Sequence, residues 1–275
     1  MTGNGNSYHS IFIPSDFSDA SERALAHALA MAVVWQSELC LLHAGGDAFS
    51  DEEWENAPSV RGMLAEWGFL ERNATRQAIF DELRVRVRKV ESRGRPPLDA
   101  TLEFLRRSPT ELIVLATGAR RGLLRMMHRS VAEAIGRQVA VPVLYVPASS
   151  RGFIATQAGT SSLRRVTVAV QPGDDVDEAW AAVARLQPLT AGARLEAEWL
   201  RLGDDAPELR APQFERIAWT ARRACERRPL RAILESSPDL VVITAHPAPG
   251  TDASTAEDLI RRGACPVLSL PAPRQ

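Results

Sequence analysis

The 275-residue chain lacks the features that mark several large classes of protein. Its three cysteines (Cys40, Cys225 and Cys265) are too few and too widely spaced for a disulfide framework or a zinc knuckle. Positive and negative residues nearly cancel, with 33 Lys and Arg against 34 Asp and Glu, so no global charge favours nucleic acid or an anionic membrane. No apolar run reaches the ~20 residues that span a bilayer. We therefore expect neither nucleic acid nor a membrane as a partner.

Signals for secretion, metal binding and hydrolysis are missing as well. Residues 1–10 are polar and rich in glycine and asparagine, whereas a signal peptide needs a charged start and an apolar stretch. The five histidines show no HxH or HExxH spacing, and no G-x-S-x-G motif occurs. We expect a cytoplasmic protein with no metal site and no catalytic residue.

What the chain does contain is an alternation of short apolar strands and helices. Leu and Val runs indicate strands, and an alanine-rich stretch over residues 20–34, capped by Ser18 or Asp19, indicates a helix. Residues 47–83 are too long for a loop and indicate one or two helices with an apolar face. Further helices are predicted over residues 98–107 and from near Ser130. The strands of this first half are predicted at residues 10–14, 38–44, 85–92, 112–115 and 141–146.

The second half of the chain repeats the closing pattern of the first. The segment SPTELIVL (residues 108–115) is echoed by SSPDLVVI (residues 236–243). Two further matches follow, residues 130–135 with 254–259 and residues 140–144 with 264–268, and Ser130 to Pro142 has the same length as Ser254 to Pro266. Matched spacing over three elements is a strong internal repeat. We predict tandem domains over residues 8–148 and 163–272, with the polar stretch 148–162 as their linker.

The second copy is the shorter one. Strands at residues 163–170 and 193–202 would open it. Its third strand is predicted at Arg216–Ala221, which reduces the preceding helix to a loop over residues 203–214. The rival interpretation makes residues 212–227 a single helix. Because strands alternate with helices in both copies, each sheet should be parallel with right-handed crossovers.

These residues resemble the universal stress protein family. The resemblance lies in IFIPSDFSDASERALAHALAMA (residues 11–32), in the LLHA end of the second strand, in the Gly94-x-Pro96 turn, and in residues 111–147. It is clear over residues 8–147 and fainter over 164–271. It implies two five-stranded, parallel, doubly wound α/β domains of the adenine nucleotide α-hydrolase type. It also implies that the domains pair through their last strands, at residues 141–146 and 266–270.

The same resemblance implies an ATP site, which this sequence has altered. ATP-binding members carry Gly, two residues, Gly, nine residues, Gly, and then Ser or Thr. Aligned on Ser130, the three glycine positions are Ala116, Ala119 and Arg129. Glycine lets backbone amides approach phosphate oxygens, often with a positive φ. Arg129 would instead place a long side chain where the triphosphate lies.

Other positions of the implied ligand site persist. The aspartate of the strand-one segment faces the adenosine half of the ligand in the family, and a helix N-terminus supplies free amides for an anion. The ligand-binding residues of a retained site would be Pro14, Ser15, Asp16, Ala44, Gly94, Leu115, Ala116, Ala119, Arg129, Ser130 and Val131.

Two interpretations of the loop arginines stay open. In one, Arg129 and its neighbours Arg120, Arg121 and Arg125 form a basic rim that binds a phosphate-bearing ligand through guanidinium groups. In the other, Arg129 fills the site and pairs with Asp16, while the remaining arginines are solvated.

The second domain offers less to a nucleotide. Pro247 and Ala253 replace its second and third glycines, and only residues 248–252 lie between them. Its aspartate, Asp174, is displaced from the family register. We expect no nucleotide there.

Our first functional hypothesis is a non-enzymatic stress-response module with a degenerate nucleotide site. It would act through protein partners or self-association, such as a homodimer, and would need no cofactor. The alternative is an ATP- or AMP-binding protein that uses the first domain and hydrolyses ATP slowly.

Overall fold

The computed structural model describes residues 7–44, 59–118, 132, 134–150, 152–208, 216–224, 229–243 and 255–271. Within these ranges the chain forms a mixed α/β structure around one continuous sheet. The strands of that sheet are β1 Ser10–Pro14, β2 Glu38–Ala44, β3 Arg86–Ser92, β4 Leu112–Thr117, β5 Val143–Pro147, β6 Arg165–Val170, β7 Leu195–Leu202, β8 Ile217–Ala224, β9 Leu240–Ile243 and β10 Val267–Ser269.

The helices lie between the strands, as the alternating pattern predicts. Residues 134–138 are also helical, and a single 3-10 turn covers Gln187–Thr190. None of the described helices combines the length and the hydropathy that crossing a bilayer requires. The α-helices are α1 Asp19–Trp35, α2 Val60–Glu66, α3 Arg76–Leu83, α4 Pro97–Arg107, α5 Val176–Leu186, α6 Pro229–Glu235 and α7 Thr255–Arg262.

The strand order confirms the predicted fold class. The order is β3-β2-β1-β4-β5-β10-β9-β6-β7-β8, so each half of the sheet repeats the other in reverse. Neighbouring strands run parallel except β5 and β10, which pair antiparallel with Leu144 opposite Leu268. The last strands of the two halves therefore join them, as expected. The pairing also protects two apolar edges that would otherwise favour aggregation.

Side-chain contacts reinforce this junction, which we call the seam. Arg137 donates to the carboxylate of Glu257, which is 5% exposed, and so links the helical residues 134–138 to α7. A second contact lies at the C-terminal end of α1, where the indole N–H of Trp35 donates to the carbonyl of Arg185 on α5 at 3.1 Å. The two halves thus form one packed body.

The second half is shortened, and in its described part three tryptophans pack together on one face of the sheet. In the first half, α2 and α3 cover one face of β2 and β3. In the second half, residues 203–208 contain no helix, and the equivalent face carries Trp180, Trp199 and Trp219, with ring centroids 6.0 and 6.1 Å apart. Trp199 is fully buried, and its indole donates to the carbonyl of Pro207 at 3.0 Å.

The third strand of the second half confirms one of the two interpretations left open by the sequence. The strand β8 pairs parallel with β7 from Ile217 to Ala224, which excludes a single helix over residues 212–227. It begins one residue later and ends three residues later than predicted. The two described helices α2 and α3 agree with the prediction for residues 47–83, of which Trp54 lies outside the described residues.

The stretch predicted as a linker folds against the first half. We call residues 148–163 the strap; residue 151 lies outside the described ranges. Its backbone forms a short hairpin in which the N–H of Ser162 donates to the carbonyl of Phe153 at 2.8 Å. Phe153 and Ile154 are buried, and the indole of Trp67 donates to the carbonyl of Thr156 at 2.8 Å. The polar composition of residues 148–162 predicts an exposed linker, whereas Phe153 and Ile154 anchor it in the core.

Gly136 tests the packing of the seam. A Cβ built on Gly136 would overlap the hydroxyl of Tyr145 on β5. Gly→Ala in a helix interior normally stabilises by about 0.5–1 kcal/mol. Here we expect Gly136→Ala to lower the free energy of unfolding by about 1–3 kcal/mol, because overpacking outweighs helix propensity. Chemical denaturation measures the change.

The control is the same substitution in a Tyr145→Phe background, where the overlapping hydroxyl is gone. Its cost should be smaller there. An equal cost in both backgrounds would show that the close approach to Tyr145 is not the cause.

Candidate functional site

The candidate site lies where the order of strands reverses in the first half. From β1 the chain continues to β2 on one side, while β4 lies on the other. The carboxyl ends of parallel strands at such a switch point leave a crevice, which is where open α/β sheets bind ligands. The predicted residues Pro14, Ser15 and Asp16 follow β1 at this edge.

Register brings two further predicted residues to the same place. Ile11 pairs with Leu112 and Phe12 with Ile113, so continuing the parallel register sets Pro14 level with Leu115. Leu115 is buried and Ala116 half-buried at the end of β4.

The remaining predicted positions divide into two groups. Ala44 ends β2, and Gly94 turns from β3 into α4 with a φ of 69°. Apart from its two chain neighbours, no atom of the described residues lies within 4 Å of where a Cβ on Gly94 would stand. The other predicted positions lie outside the described residues: Ala119, Arg129, Ser130 and Val131, together with Arg120, Arg121 and Arg125.

Asp16 is bound to the start of α1. Its Oδ1 accepts hydrogen bonds from the backbone N–H of Ser18 at 3.0 Å and from the hydroxyls of Ser18 and Ser21 at 2.6 and 2.5 Å. Ser18 is also the N-cap of the helix and accepts from the N–H of Ser21. The carboxylate therefore lies near the positive end of the helix dipole, which favours its charged form. One of its two oxygens is committed to the fold.

Phe17 and His43 form a part of the site that sequence analysis missed. Phe17 has a φ of 58°, a left-handed conformation that is uncommon for a bulky residue. Its ring stacks on His43 with centroids 4.6 Å apart, and the His43 Nδ1 lies 2.8 Å from the carbonyl of Ser15. Because a carbonyl only accepts, Nδ1 carries the proton in this bond. The stack fixes the turn that aims Asp16.

In the second half, the register identifies the residue equivalent to Asp16. Ile11 pairs with Leu112 on β4, and Val166 pairs with Leu240 on β9. The sequence repeat aligns Leu112 with Leu240, so Ile11 and Val166 occupy equivalent positions. Asp16 lies five residues after Ile11, and Gln171 lies five residues after Val166. Gln171 therefore occupies the position that Asp16 has in the first half.

The second-half aspartate serves its own loop. Oδ2 of Asp174 accepts from the N–H of Gln171 at 2.7 Å, which closes a tight turn. Beside it, Arg201 at the end of β7 donates to the carbonyls of Asp204 and Ala206 and draws that loop over the strand end. The substituted glycine positions Pro247 and Ala253 lie outside the described residues, as do residues 248–252.

Comparison with known proteins identifies the family. A sequence model described as the universal stress protein family matches residues 7–147. The chain belongs to the universal stress protein family. It is similar to a universal stress protein of Methanocaldococcus jannaschii, with 27% identity over 158 residues, 51% of this chain and 83% of the relative.

Solved structures with the same fold span both halves. A universal stress protein from Archaeoglobus fulgidus superimposes with a TM-score of 0.56 at 16% identity, covering 98% of this chain and 97% of that one. The cytoplasmic domain of a prokaryotic cation chloride cotransporter gives a TM-score of 0.53 at 14% identity, covering 96% and 95%. At these identities the likeness is one of fold.

Other chemistry is sparse in the described part of this universal stress protein. Its described residues contain no group of three His, Cys, Asp or Glu side chains that could hold a metal ion. The thiols of Cys40 and Cys265 are buried, and burial raises the pKa of both, that of Cys265 to about 11. A thiol that stays protonated at neutral pH is a poor nucleophile.

The hydrogen bonds of Asp16 predict an asymmetry between the halves. Asp16→Ala removes an acceptor for three donors at the start of α1, so we expect a loss of about 1–3 kcal/mol in the free energy of unfolding. The matched variant Gln171→Ala changes the equivalent position of the second half and should cost less than about 0.5 kcal/mol. Urea denaturation of both variants measures the difference; equal costs would contradict the assigned role of Asp16.

Proposed function

We propose that this universal stress protein is a regulatory module of the cytoplasm that holds no ATP in either half. The observation that carries the proposal is the state of the second half. There Gln171 takes the place of the aspartate, and Asp174 binds the backbone of its own turn. The second half therefore lacks a carboxylate at the position that faces the adenosine in the family, and its nearest aspartate is bound within its own turn.

Sequence supports the same conclusion for the first half. Ala116, Ala119 and Arg129 stand at the three glycine positions. Alanine adds a methyl group where backbone amides must approach phosphate closely, and arginine adds a long side chain. Arg129 would occupy the phosphate subsite with its own positive charge and form an ion pair with Asp16. Such a pair would hold the site closed without a ligand.

The fold suggests how such a module acts. The cotransporter structure shares this tandem architecture within a larger membrane protein, according to its description as a cytoplasmic domain. On analogy of fold alone, we propose that the tandem pair of this chain serves as a rigid body that contacts other proteins. Because β5 and β10 already pair within the chain, self-association as a homodimer would use another surface. Protein partners are therefore the proposed targets.

A second candidate function rests on a specific observation in the first half. Gly94 keeps its left-handed conformation, and Asp16 keeps the family position. These two features would suit the base and ribose of ATP or AMP, with the loop arginines in place of the glycine amides. In that case the protein binds an adenine nucleotide through one half only, and slow ATP hydrolysis there becomes feasible.

Titration calorimetry with ATP, ADP and AMP separates the two functions. We expect no heat of binding to the natural chain at nucleotide concentrations up to about 1 mM, equivalent to less than about 4 kcal/mol of binding free energy. Arg129→Gly should create measurable affinity, because it restores the third glycine and opens the phosphate subsite.

Arg125→Gly is the matched control, since it removes the same charge from the same loop outside the glycine positions. It should create no affinity. The proposal would be overturned by low-micromolar binding to the natural chain that is lost in a folded Asp16→Ala variant.

A further inference from the structure

Residues 152–154 of the strap are held to α1 by one buried histidine, whereas Arg23 of the same helix holds residues 148 and 150. His27 is fully buried, and its ring meets the first turn of the strap. Nε2 lies 3.1 Å from the N–H of Phe153 and 3.2 Å from that of Ile154 and accepts from both. Nδ1 lies 2.8 Å from the carbonyl of Arg23 one helical turn earlier. Phe153 also packs edge-on against the imidazole, with centroids 4.7 Å apart.

These partners fix the protonation state of the ring. The carbonyl of Arg23 can only accept, so Nδ1 must carry a proton. The two strap amides can only donate, so Nε2 must not carry one. His27 is therefore neutral, in the Nδ1–H tautomer, whenever the strap is closed. No other side chain among the described residues makes a hydrogen bond to these two amides.

A second proton on His27 cannot be accommodated in this arrangement. It would set an N–H against two N–H groups and bury a positive charge. Among the residues that the structure describes, the charged group facing the ring is Arg23, whose guanidinium donates to the carbonyls of Ala148 and Ser150 and would repel an imidazolium. The strap residues at the ring (Gly152, Phe153 and Ile154) carry no acid, and the strands beneath α1 present apolar side chains.

The imidazole of His27 also lies too close to the backbone of Gly152 to move within the closed arrangement. A Cβ built on Gly152, which has a φ of 68°, would overlap the imidazole ring. The ring is thus pressed against strap backbone on one side and enclosed by the core on the other. An imidazolium could gain water only if the strap moved away.

We propose that the strap is an acid-released latch, in which protonation of His27 detaches residues 152–162 from α1 while the seam keeps the two halves together. Release would uncover Phe153, Ile154 and the face of Trp67 that now packs on Gly159, giving an apolar surface that exists only in acid. This inference is independent of nucleotide binding, because it uses none of the residues of the candidate site.

The direction and range of the pH effect follow from the burial of His27. Burial lowers the pKa of His27 from 6.5 to about 4 in the closed state. A released histidine regains its ordinary pKa, so the open state binds more protons between these two values. Closure is therefore fully favoured above about pH 6.5. It weakens about tenfold per pH unit as the pH falls towards 4, by roughly 300-fold in total.

Hydrogen exchange measured by mass spectrometry on the full chain tests the latch. Protection factors, corrected for intrinsic exchange, are followed for peptides covering residues 152–162 between pH 7 and pH 4. We expect a fall of about tenfold per pH unit below pH 6 in the strap alone. Peptides from β1 and β4 should stay protected, which distinguishes local release from global unfolding.

His27→Gln is the informative variant, since its side-chain oxygen can accept from the strap amides but does not titrate. Its strap protection should not depend on pH. His9→Gln, at an exposed histidine, is the matched control and should behave like the natural chain. Equal pH slopes in the natural chain and His27→Gln would overturn the proposal.

A measurement on the natural chain alone covers the case in which His27→Gln does not fold. The ¹⁵N chemical shifts of the imidazole report its tautomer and its titration. We expect the Nδ1–H tautomer at pH 7 and a proton on Nε2 only as the strap amides lose protection. Titration of His27 near pH 6.5 with the strap still protected would overturn the latch.

Discussion

The structure depends on one antiparallel contact, the pairing of β5 with β10. Two parallel five-stranded sheets would each end in an apolar strand with unpaired amides and carbonyls. Placing Leu144 opposite Leu268 joins them into one sheet and satisfies both edges. The ion pair between Arg137 and Glu257 and the contact of Trp35 with Arg185 then act across the same junction. Neither half has to be stable alone, which permits the second half to be short.

That arrangement separates the requirements of folding from those of ligand binding. The seam needs intact β4, β5, β9 and β10 and the helices that cover them, and this is where the two halves match best in sequence. The candidate sites lie at the strand ends beside β1 and β6. There the halves have diverged: Asp16 accepts hydrogen bonds from the start of α1 in one, and Gln171 replaces it in the other. A regulatory module can keep the rigid pair and lose the ligand.

Much of the fold could be predicted because the repeat fixes the spacing of strand, helix and strand. The third strand of the second half was predicted at Arg216–Ala221, although the same residues also allowed a single helix over 212–227. Three features could not be predicted. Trp180, Trp199 and Trp219 pack against one another across three elements of the second half, a contact that only tertiary structure reveals. Phe17 adopts a positive φ against its preference, held by a ring stack with a residue 26 positions away. The strap depends on His27, a long-range contact without any sequence signal.

The central claim is that the chain keeps the fold of a nucleotide-binding pair without holding a nucleotide. The most direct test is to purify the full-length protein without added nucleotide, denature it, and quantify released adenine nucleotides by liquid chromatography and mass spectrometry. The account predicts well under about 0.1 nucleotide per chain, since an occupied fraction near one requires a Kd far below cellular ATP. Recovery of about one ATP or AMP per chain would contradict it.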